Sequence, residues 1–152
     1  MMVQRVFLVI AGIWLGGLCI AGYLVAPTIF SVMTDRQAAG VVAGEVFKNM
    51  TLFTLIVCTV LLIFSNVLVK RSFSQFRNLR WILLGILFLT LIGGFVLQPW
   101  MNGLREAALA GGAPVMASPQ GPLFGTLHGI SSVIYLLETS LGLLLFWKAS
   151  KV

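Results

Sequence analysis

Four long apolar runs dominate the chain, at residues 6–32, 50–69, 81–101 and 123–147. Each is long enough for an α-helix to cross the hydrocarbon core of a bilayer, which takes about 20 mainly apolar residues. Membrane-spanning strands would instead alternate apolar and polar positions over about ten residues, and these runs are apolar on every side. The pattern therefore predicts an all-α integral membrane protein, in which residues 1–152 form one bundle of four transmembrane helices.

The segments between these runs differ in character. Residues 35–50 carry apolar side chains at helical spacing, which predicts an amphipathic segment that lies at the membrane interface or extends the second span. Residues 70–80 are basic, and residues 102–122 change from helix-forming to rich in glycine and proline, which predicts irregular structure. Pro27 and Pro99 lack a backbone donor, so we expect them to kink or end the first and third spans.

The composition agrees with a lipid environment. Hydrophobic residues make up 59% of the chain and charged residues 9%, whereas an ordinary soluble domain has about a quarter charged residues. A net charge of +6 would suggest nucleic acid as a partner of a soluble protein. Here the positive charge lies between apolar runs, so we expect the lipid bilayer and no nucleic acid as a partner. The first run is also longer than the apolar part of a signal peptide, about 7 to 15 residues.

The distribution of lysine and arginine predicts an orientation. With four spans, the two termini and residues 70–80 share one side of the membrane, and seven lysines and arginines lie there against three on the other side. The positive-inside rule places the richer side in the cytoplasm, so both termini are expected inside the cell. Helical spans favour the bacterial inner, or plasma, membrane. Trp81, Trp100 and Trp147 lie near span ends, as in the aromatic belts of membrane proteins.

Small residues repeat along the first span. Gly12 with Gly16, and Gly17 with Ala21, form pairs four residues apart, the spacing at which membrane helices approach one another closely. These pairs predict either packing within the bundle or contact with a second copy or another membrane protein.

Polar residues are concentrated on one stripe of the fourth span. His128 and Glu138 are the ionisable groups inside the spans, and such groups suggest function because they are costly in a bilayer. No cation lies at the depth of Glu138, so desolvation favours its neutral form. The stripe predicts either a hydrogen-bonded seam that holds the bundle together or a relay for protons or cations. The candidate functional residues are His128, Ser131, Ser132, Tyr135, Glu138 and Gln98.

Metal binding and catalysis find less support. Cys19 and Cys58 fall at similar depths in the first two spans, and thiolate and imidazole groups suit soft metal ions, so Cys19, Cys58 and His128 are weak candidates for metal ligands. No spacing motif fixes a coordination geometry, and a single histidine cannot supply both axial ligands of a bis-histidine haem. The sequence also lacks a Walker A loop, a GxSxG elbow and an HExxH motif. We expect no cofactor and no enzymatic activity.

Several stretches resemble a known family. They are residues 128–132 (HGISS), 22–30 (GYLVAPTIF) and 39–47 (AGVVAGEVF), and Gln98-Pro99 followed by Leu104-Arg105. Together they resemble the small membrane proteins related to human transmembrane protein 205, whose bacterial members carry a domain of unknown function 4149. The resemblance implies the same four-helix bundle. It implies no established activity, although the association of the human member with platinum-drug resistance suggests metal or drug handling.

Two functions stay open at the level of sequence. The first is a non-enzymatic structural or accessory component of a larger membrane assembly, suggested by the small-residue pairs and the missing catalytic motifs. The second is a small transporter or a metal- or drug-resistance protein that uses His128 and Glu138 inside the membrane.

Overall fold

The computed structural model describes residues 2–71 and 76–151, which are helical along most of their length. Helix 1 is Met2–Val32, helix 2 is Arg36–Lys70, helix 3 is Arg77–Ala110 and helix 4 is Gly121–Ser150. Each helix has 30 or more residues and is apolar enough to cross a membrane, and the described residues contain no strand. The prediction of an all-α fold with four membrane-compatible helices is confirmed.

Every helix extends beyond the apolar run that predicted it. At about 1.5 Å per residue, each helix is about 45 Å long or longer, against about 30 Å of hydrocarbon. Residues 35–50 extend helix 2, which was one of the two predicted alternatives. Asp35 caps this helix, because its Oδ1 accepts hydrogen bonds from the backbone N–H groups of Gln37 at 2.8 Å and Ala38 at 3.2 Å.

Neither proline ends its helix, so that part of the expectation is wrong. Each lies just after a π-helical segment, Ala21–Val25 before Pro27 and Gly93–Leu97 before Pro99. In both places the first backbone N–H after the segment bonds to the carbonyl five residues earlier. In an α-helix the proline ring would clash with the carbonyl four residues earlier. The wider π turn gives the ring room, so the helix continues beyond it.

The connections match the expectation in part. The expected basic connection at 70–80 is shorter than predicted, because helix 2 ends at Lys70 and helix 3 begins at Arg77; residues 72–75 lie outside the described residues. The irregular connection at 111–120 is as expected. Gly112 adopts a left-handed φ of 74° just after helix 3, a conformation that glycine adopts without strain.

The four helices form a ring in which helices 1 and 3 each contact helices 2 and 4. Both termini lie at one end of the bundle, as the hydrogen bond from Gln4 Nε2 to the carbonyl of Ala149 at 3.1 Å demonstrates. We call this end, with Lys70 at the end of helix 2 and Arg77 at the start of helix 3, the terminal end. The opposite end, with the connections at 33–35 and 111–120, is the distal end.

The closely packed core fills the terminal half of the bundle. Phe7 is fully buried and packs against the rings of Phe64 and Phe76, with centroids 6.5 and 5.7 Å away. Trp14 is also fully buried, and its Nε1 donates a hydrogen bond to Thr54 Oγ1 at 3.0 Å. Leucine and isoleucine side chains from the other helices complete this core, namely Leu61, Leu79, Leu83, Ile86 and Leu145.

The small residues of helix 1 face mainly into the bundle. A Cβ on Gly12 would lie 3.3 Å from the Phe146 ring of helix 4, and one on Gly17 would lie 3.7 Å from Met50 of helix 2. Ala21 is buried, whereas a Cβ on Gly16 would meet nothing within 4 Å. Three of the four predicted packing positions therefore contribute to the fold of this chain itself.

Candidate functional site

The distal half of the bundle encloses a cavity of about 1030 Å³ between all four helices. It reaches from the connection at 111–120 and the start of helix 2 down to the middle of the bundle. Many of its walls are formed by residues with little or no side chain, which leave the centre of the bundle unfilled. These small lining residues are Gly22, Ala26, Gly40, Ala43, Gly44, Gly93 and Gly94.

All six residues of the predicted polar stripe line this cavity: His128, Ser131, Ser132, Tyr135, Glu138 and Gln98. The structure therefore brings these six residues together on the surface of one cavity. Three hydroxyl or amide groups of the set donate to backbone carbonyls: Ser132 Oγ to that of His128 at 2.9 Å, Gln98 Nε2 to that of Gly44 at 3.3 Å, and the Tyr135 hydroxyl to that of Leu18. The His128 ring is exposed and stacks on Phe124, with centroids 6.4 Å apart.

Tyr135 crosses from helix 4 to helix 1. Its hydroxyl donates a hydrogen bond of 2.6 Å to the carbonyl of Leu18, and its ring packs edge-on against Phe47 of helix 2, with centroids 5.1 Å apart. The ring lies so close to Gly22 that a Cβ there would overlap it. Tyr135 thus fixes one wall of the cavity against the π-helical segment of helix 1.

Glu138 lies at the inner end of the cavity, where the hollow and the packed halves meet. Its side chain is buried, as are those of Thr54 and Thr90, which line the same end from helices 2 and 3. The Thr90 hydroxyl donates to the carbonyl of Ile86 at 2.8 Å, so its lone pairs stay available to accept. Within the described residues, no lysine or arginine pairs with Glu138. The inner end is therefore a small group of oxygen atoms surrounded by apolar walls.

A second polar group lies near the distal end. Arg105 of helix 3 is half-buried and lines the cavity, and its Nη1 donates a hydrogen bond to Asn102 Oδ1 at 3.3 Å. The guanidinium carbon lies 5.6 Å from the centroid of the Phe124 ring. Positions for a Cβ on Gly40 and Gly44 lie 3.6 and 3.8 Å from its nitrogens, so glycines in helix 2 make room for this side chain. Arg105 lies outside the set of site residues predicted from the sequence.

The two π-helical segments have closely related sequences. Residues 21–27 read AGYLVAP and residues 93–99 read GGFVLQP, so glycine, an aromatic residue, two aliphatic residues and proline recur in the same order. Both segments lie at the cavity. Glycine- and proline-interrupted helices at corresponding places in two halves of a membrane protein mark binding sites. This repeat is the sequence signal for the cavity, and hydropathy alone does not reveal it.

The relation between helices 1 and 3 extends along the whole cavity. Each of four cavity-lining residues of helix 1 has a cavity-lining counterpart in helix 3 at the same distance along the sequence. They are Leu18, Gly22, Ala26 and Phe30 from helix 1, and Thr90, Gly94, Gln98 and Asn102 from helix 3. Helices 2 and 4 show a second constant offset: Gly40, Gly44, Phe47, Thr51 and Thr54 from helix 2, and Phe124, His128, Ser131, Tyr135 and Glu138 from helix 4. The chain thus uses two similar helical hairpins around one cavity.

Two close approaches at glycine positions obey the same relation. Gly22 lies against Tyr135, between helices 1 and 4, and Gly94 lies against Thr51, between helices 3 and 2. Exchanging the two hairpins turns one of these contacts into the other, as expected for an approximate two-fold axis through the cavity. The chemistry is not symmetric, because Glu138 corresponds to Thr54 and His128 corresponds to Gly44. The cavity therefore has one acidic side chain at its inner end.

The weak metal candidates are not brought together with the stripe. Cys58 is fully buried in the packed core and Cys19 is half-buried beside it, and neither lines the cavity that His128 faces. Over residues 2–71 and 76–151, no group of three or more histidine, cysteine, aspartate or glutamate side chains could hold a metal ion.

Comparison with known proteins identifies a family. Residues 9–110 match the family described as Domain of unknown function (DUF4149). The match runs from helix 1 to the end of helix 3, so it includes both related π-helical segments and Arg105, and it leaves helix 4 outside. No curated protein and no solved structure matches the chain. Because the match covers more than half of its length, the chain belongs to the DUF4149 family.

Proposed function

We propose that this chain is a non-enzymatic, multi-pass membrane protein that binds a small, largely apolar molecule inside its helical bundle and passes it across or into the membrane. One observation supports this above all: a cavity of about 1030 Å³ lies between the four helices, with the polar stripe on one wall. Ligand cavities typically measure about 300 to 1,000 Å³ and combine apolar walls with a few polar groups. This one has both properties.

In this proposal Glu138 recognises a polar atom of the ligand or couples its movement to a proton. An ionisable residue inside a membrane protein is by default a functional candidate, and Glu138 is buried beside Thr54 and Thr90 at the inner end of the cavity. A donor group at the far end of the ligand would find acceptor oxygens of Glu138, Thr54 and Thr90 there.

We further propose that the terminal end faces the cytoplasm and that the cavity opens on the outer side of a bacterial inner membrane. The excess of lysine and arginine at the terminal end supports this orientation. A relation to human transmembrane protein 205 also stays a prediction from the resemblance, and with it any part in drug or metal resistance.

Blocking the cavity tests the proposal. Ser131 lines the cavity, whereas Ser140 of the same helix is exposed and absent from its lining, so Ser131→Trp and Ser140→Trp form a matched pair. Native mass spectrometry of protein released from lipid nanodiscs should detect a bound molecule on the wild-type chain and on Ser140→Trp. Ser131→Trp should lose it, and Glu138→Gln should hold it less well.

The proposal fails if the wild-type chain carries no bound molecule in that measurement. It also fails if Ser131→Trp retains the molecule to the same extent as Ser140→Trp, because a bulky indole in the cavity should exclude any occupant.

A specific observation also favours the structural or accessory function. A Cβ on Gly125 or Gly129 of helix 4 would meet nothing within 4 Å, so this pair of small residues faces away from the bundle, and Gly16 of helix 1 is open in the same way. Small residues four apart allow close approach of another membrane helix. If Gly129→Leu abolished co-purification of a second chain in mild detergent, this second function would be preferred.

A further inference from the structure

We infer that the ligand of the cavity is an anionic amphiphile, whose phosphate or carboxylate head pairs with Arg105 near the distal end while its apolar chain occupies the cavity. The inference rests on the proposed function, because it names the ligand class of the same cavity. It starts from the surroundings of the Arg105 guanidinium.

Arg105 has unused donors that face the cavity. An arginine carries five N–H donors and no acceptor, and within the described residues only one hydrogen bond from this side chain is found, to Asn102 Oδ1. The ring of Phe124 and the glycine backbone of helix 2 hold the guanidinium in place without binding its other donors. The side chain is therefore positioned but only partly satisfied.

No acidic side chain in the described part of the chain neutralises this cation. Asp35 caps helix 2, Glu45 pairs with Lys48 at 3.3 Å, and Glu138 lies at the opposite end of the cavity. Glu106 is exposed and forms no ion pair with its neighbour Arg105. A half-buried arginine is stabilised when a carboxylate or phosphate accepts two parallel hydrogen bonds from it. An anionic ligand at the distal end of the cavity would supply that partner.

The cavity opens at the distal end, and we call this opening, beside Arg105, its mouth. Other groups at the mouth are also suited to an anion. Arg36 lines the cavity from the start of helix 2, and the side-chain amides of Gln98 and Asn102 lie beside Arg105 on helix 3. Of the acidic residues in the described part of the chain, Glu138 alone lines the cavity. The cavity is thus positive at its mouth, and the single carboxyl group is at its inner end.

The depth of Arg105 matches that of a lipid headgroup. Helix 3 ends at Ala110 and is longer than the hydrocarbon core requires, so Arg105 lies near the polar surface of the membrane. Below it, the walls toward the inner end are formed largely by apolar side chains, including Phe30, Phe47, Leu18 and Ile134. A molecule with its charged head at the surface and its chain between the helices satisfies both regions.

Binding of a matched series of probes to the full chain tests the inference. Native mass spectrometry in one detergent would measure binding of hexadecyl phosphate, hexadecanol, hexadecyltrimethylammonium and inorganic phosphate, with phosphatidylglycerol as a two-chain anion. We expect hexadecyl phosphate or phosphatidylglycerol to bind at least about tenfold more tightly than the other three, since a hydrogen bond to a charged group contributes about that factor. The tighter of the two identifies a single-chain amphiphile or a membrane lipid as the source of the head.

Variants of the protein distinguish the effect of the Arg105 side chain on binding from the effect of the net positive charge. Arg105→Gln should reduce the binding of the anionic amphiphile at least about tenfold, and Arg105→Lys, which keeps the charge but loses the paired donors, should reduce it less. The control Arg5→Gln removes one positive charge from an exposed position at the terminal end and should bind like the wild-type chain. If Arg105→Gln does not fold, the smaller loss in Arg105→Lys still decides the question.

The possible failures are distinct. Equal binding of hexadecanol, or unchanged binding by both Arg105 variants, would overturn the anionic head and leave a cavity that binds apolar molecules. Equal binding of inorganic phosphate would overturn the amphiphile. If none of the probes bound and no native molecule was present either, the proposed function itself would fail.

Discussion

The two halves of this bundle consist of the same four helices and differ in how the space between those helices is filled. In the terminal half, large side chains such as Phe7, Trp14 and Leu145 meet on the bundle axis and exclude space. In the distal half, the residues that face the axis include Gly22, Gly44 and Gly94, and a cavity of about 1030 Å³ remains. The size of the inward-facing side chains therefore distinguishes the packed half from the hollow half.

The boundary between the halves is also the place where helices 1 and 3 are interrupted. The segments Ala21–Val25 and Gly93–Leu97 are π-helical, and such segments often occur at functional sites. On the terminal side of these segments lie the hydrogen bond from Trp14 to Thr54 and the buried Glu138. A closely packed terminal half would let the bundle hold the ligand that we propose for the distal half without loss of its fold.

The largest expected effect is an all-or-none difference in labelling, which assigns each half to one side of the membrane. Met116 is exposed at the distal end and Ser150 is exposed at the terminal end. In intact cells a membrane-impermeant maleimide should label Met116→Cys and leave Ser150→Cys unlabelled until the cells are broken, as the positive-inside rule predicts. The wild-type chain, with Cys19 and Cys58 in the spans, is the background control. Labelling of Ser150→Cys alone in intact cells would reverse the assignment.

The next largest effect is a difference in the free energy of unfolding between the same substitution made in each half. Phe7→Ala should lower the free energy of unfolding by about 3 to 5 kcal/mol, because it leaves a hole in a close-packed core. Phe30→Ala should cost much less, since Phe30 lines an existing cavity and is 38% exposed. Reversible unfolding in mixed micelles would measure both. Similar losses for the two variants would contradict the contrast between a packed and a hollow half.

A smaller effect tests the close contacts beside the π-helical segments. A Cβ on Gly94 would overlap the side chain of Thr51, so Gly94→Ala should destabilise the fold by about 1 to 3 kcal/mol, the usual range for overpacking. Adding Thr51→Ala removes the overlapping atoms and should restore much of the loss.

Gly129→Ala serves as the control for this pair, because its added Cβ would meet nothing within 4 Å, and it should leave stability nearly unchanged. If Thr51→Ala failed to rescue Gly94→Ala, the contact would not be the source of the destabilisation.

The smallest effect concerns a buried polar atom in the packed half. Ser65 is fully buried, and among the described residues its Oγ has no hydrogen-bond partner. Ser65→Ala removes this unsatisfied group and should raise the free energy of unfolding by about 1 kcal/mol or leave it unchanged. Ser140 is exposed and its Oγ bonds to Leu136, so Ser140→Ala is a neutral control. A clear loss of stability in Ser65→Ala would reveal a partner for that hydroxyl.

Some residues of the candidate site could be predicted from the sequence and others could not. The helical stripe from His128 to Glu138 could be predicted because residues three and four apart share one face of a helix, and all of its members line the cavity. The role of Arg105 could not be predicted in this way. Arg105 lies outside the apolar run of its span and resembles any charged residue near a membrane surface. Its position against Gly40, Gly44 and Phe124 depends on contacts between helices far apart in the sequence.

The sequence by itself determined the number of helices and their apolar character, because every backbone polar group that crosses hydrocarbon must be satisfied within its own helix. It also contained the repeat around Pro27 and Pro99, although its meaning was not evident from hydropathy. Only the tertiary structure decided which half of the bundle is hollow, which small residues face the axis, and that both prolines follow π-helical segments without ending their helices. These features depend on how neighbouring helices rotate and approach one another, and the steric fit that sets them is absent from any single helix.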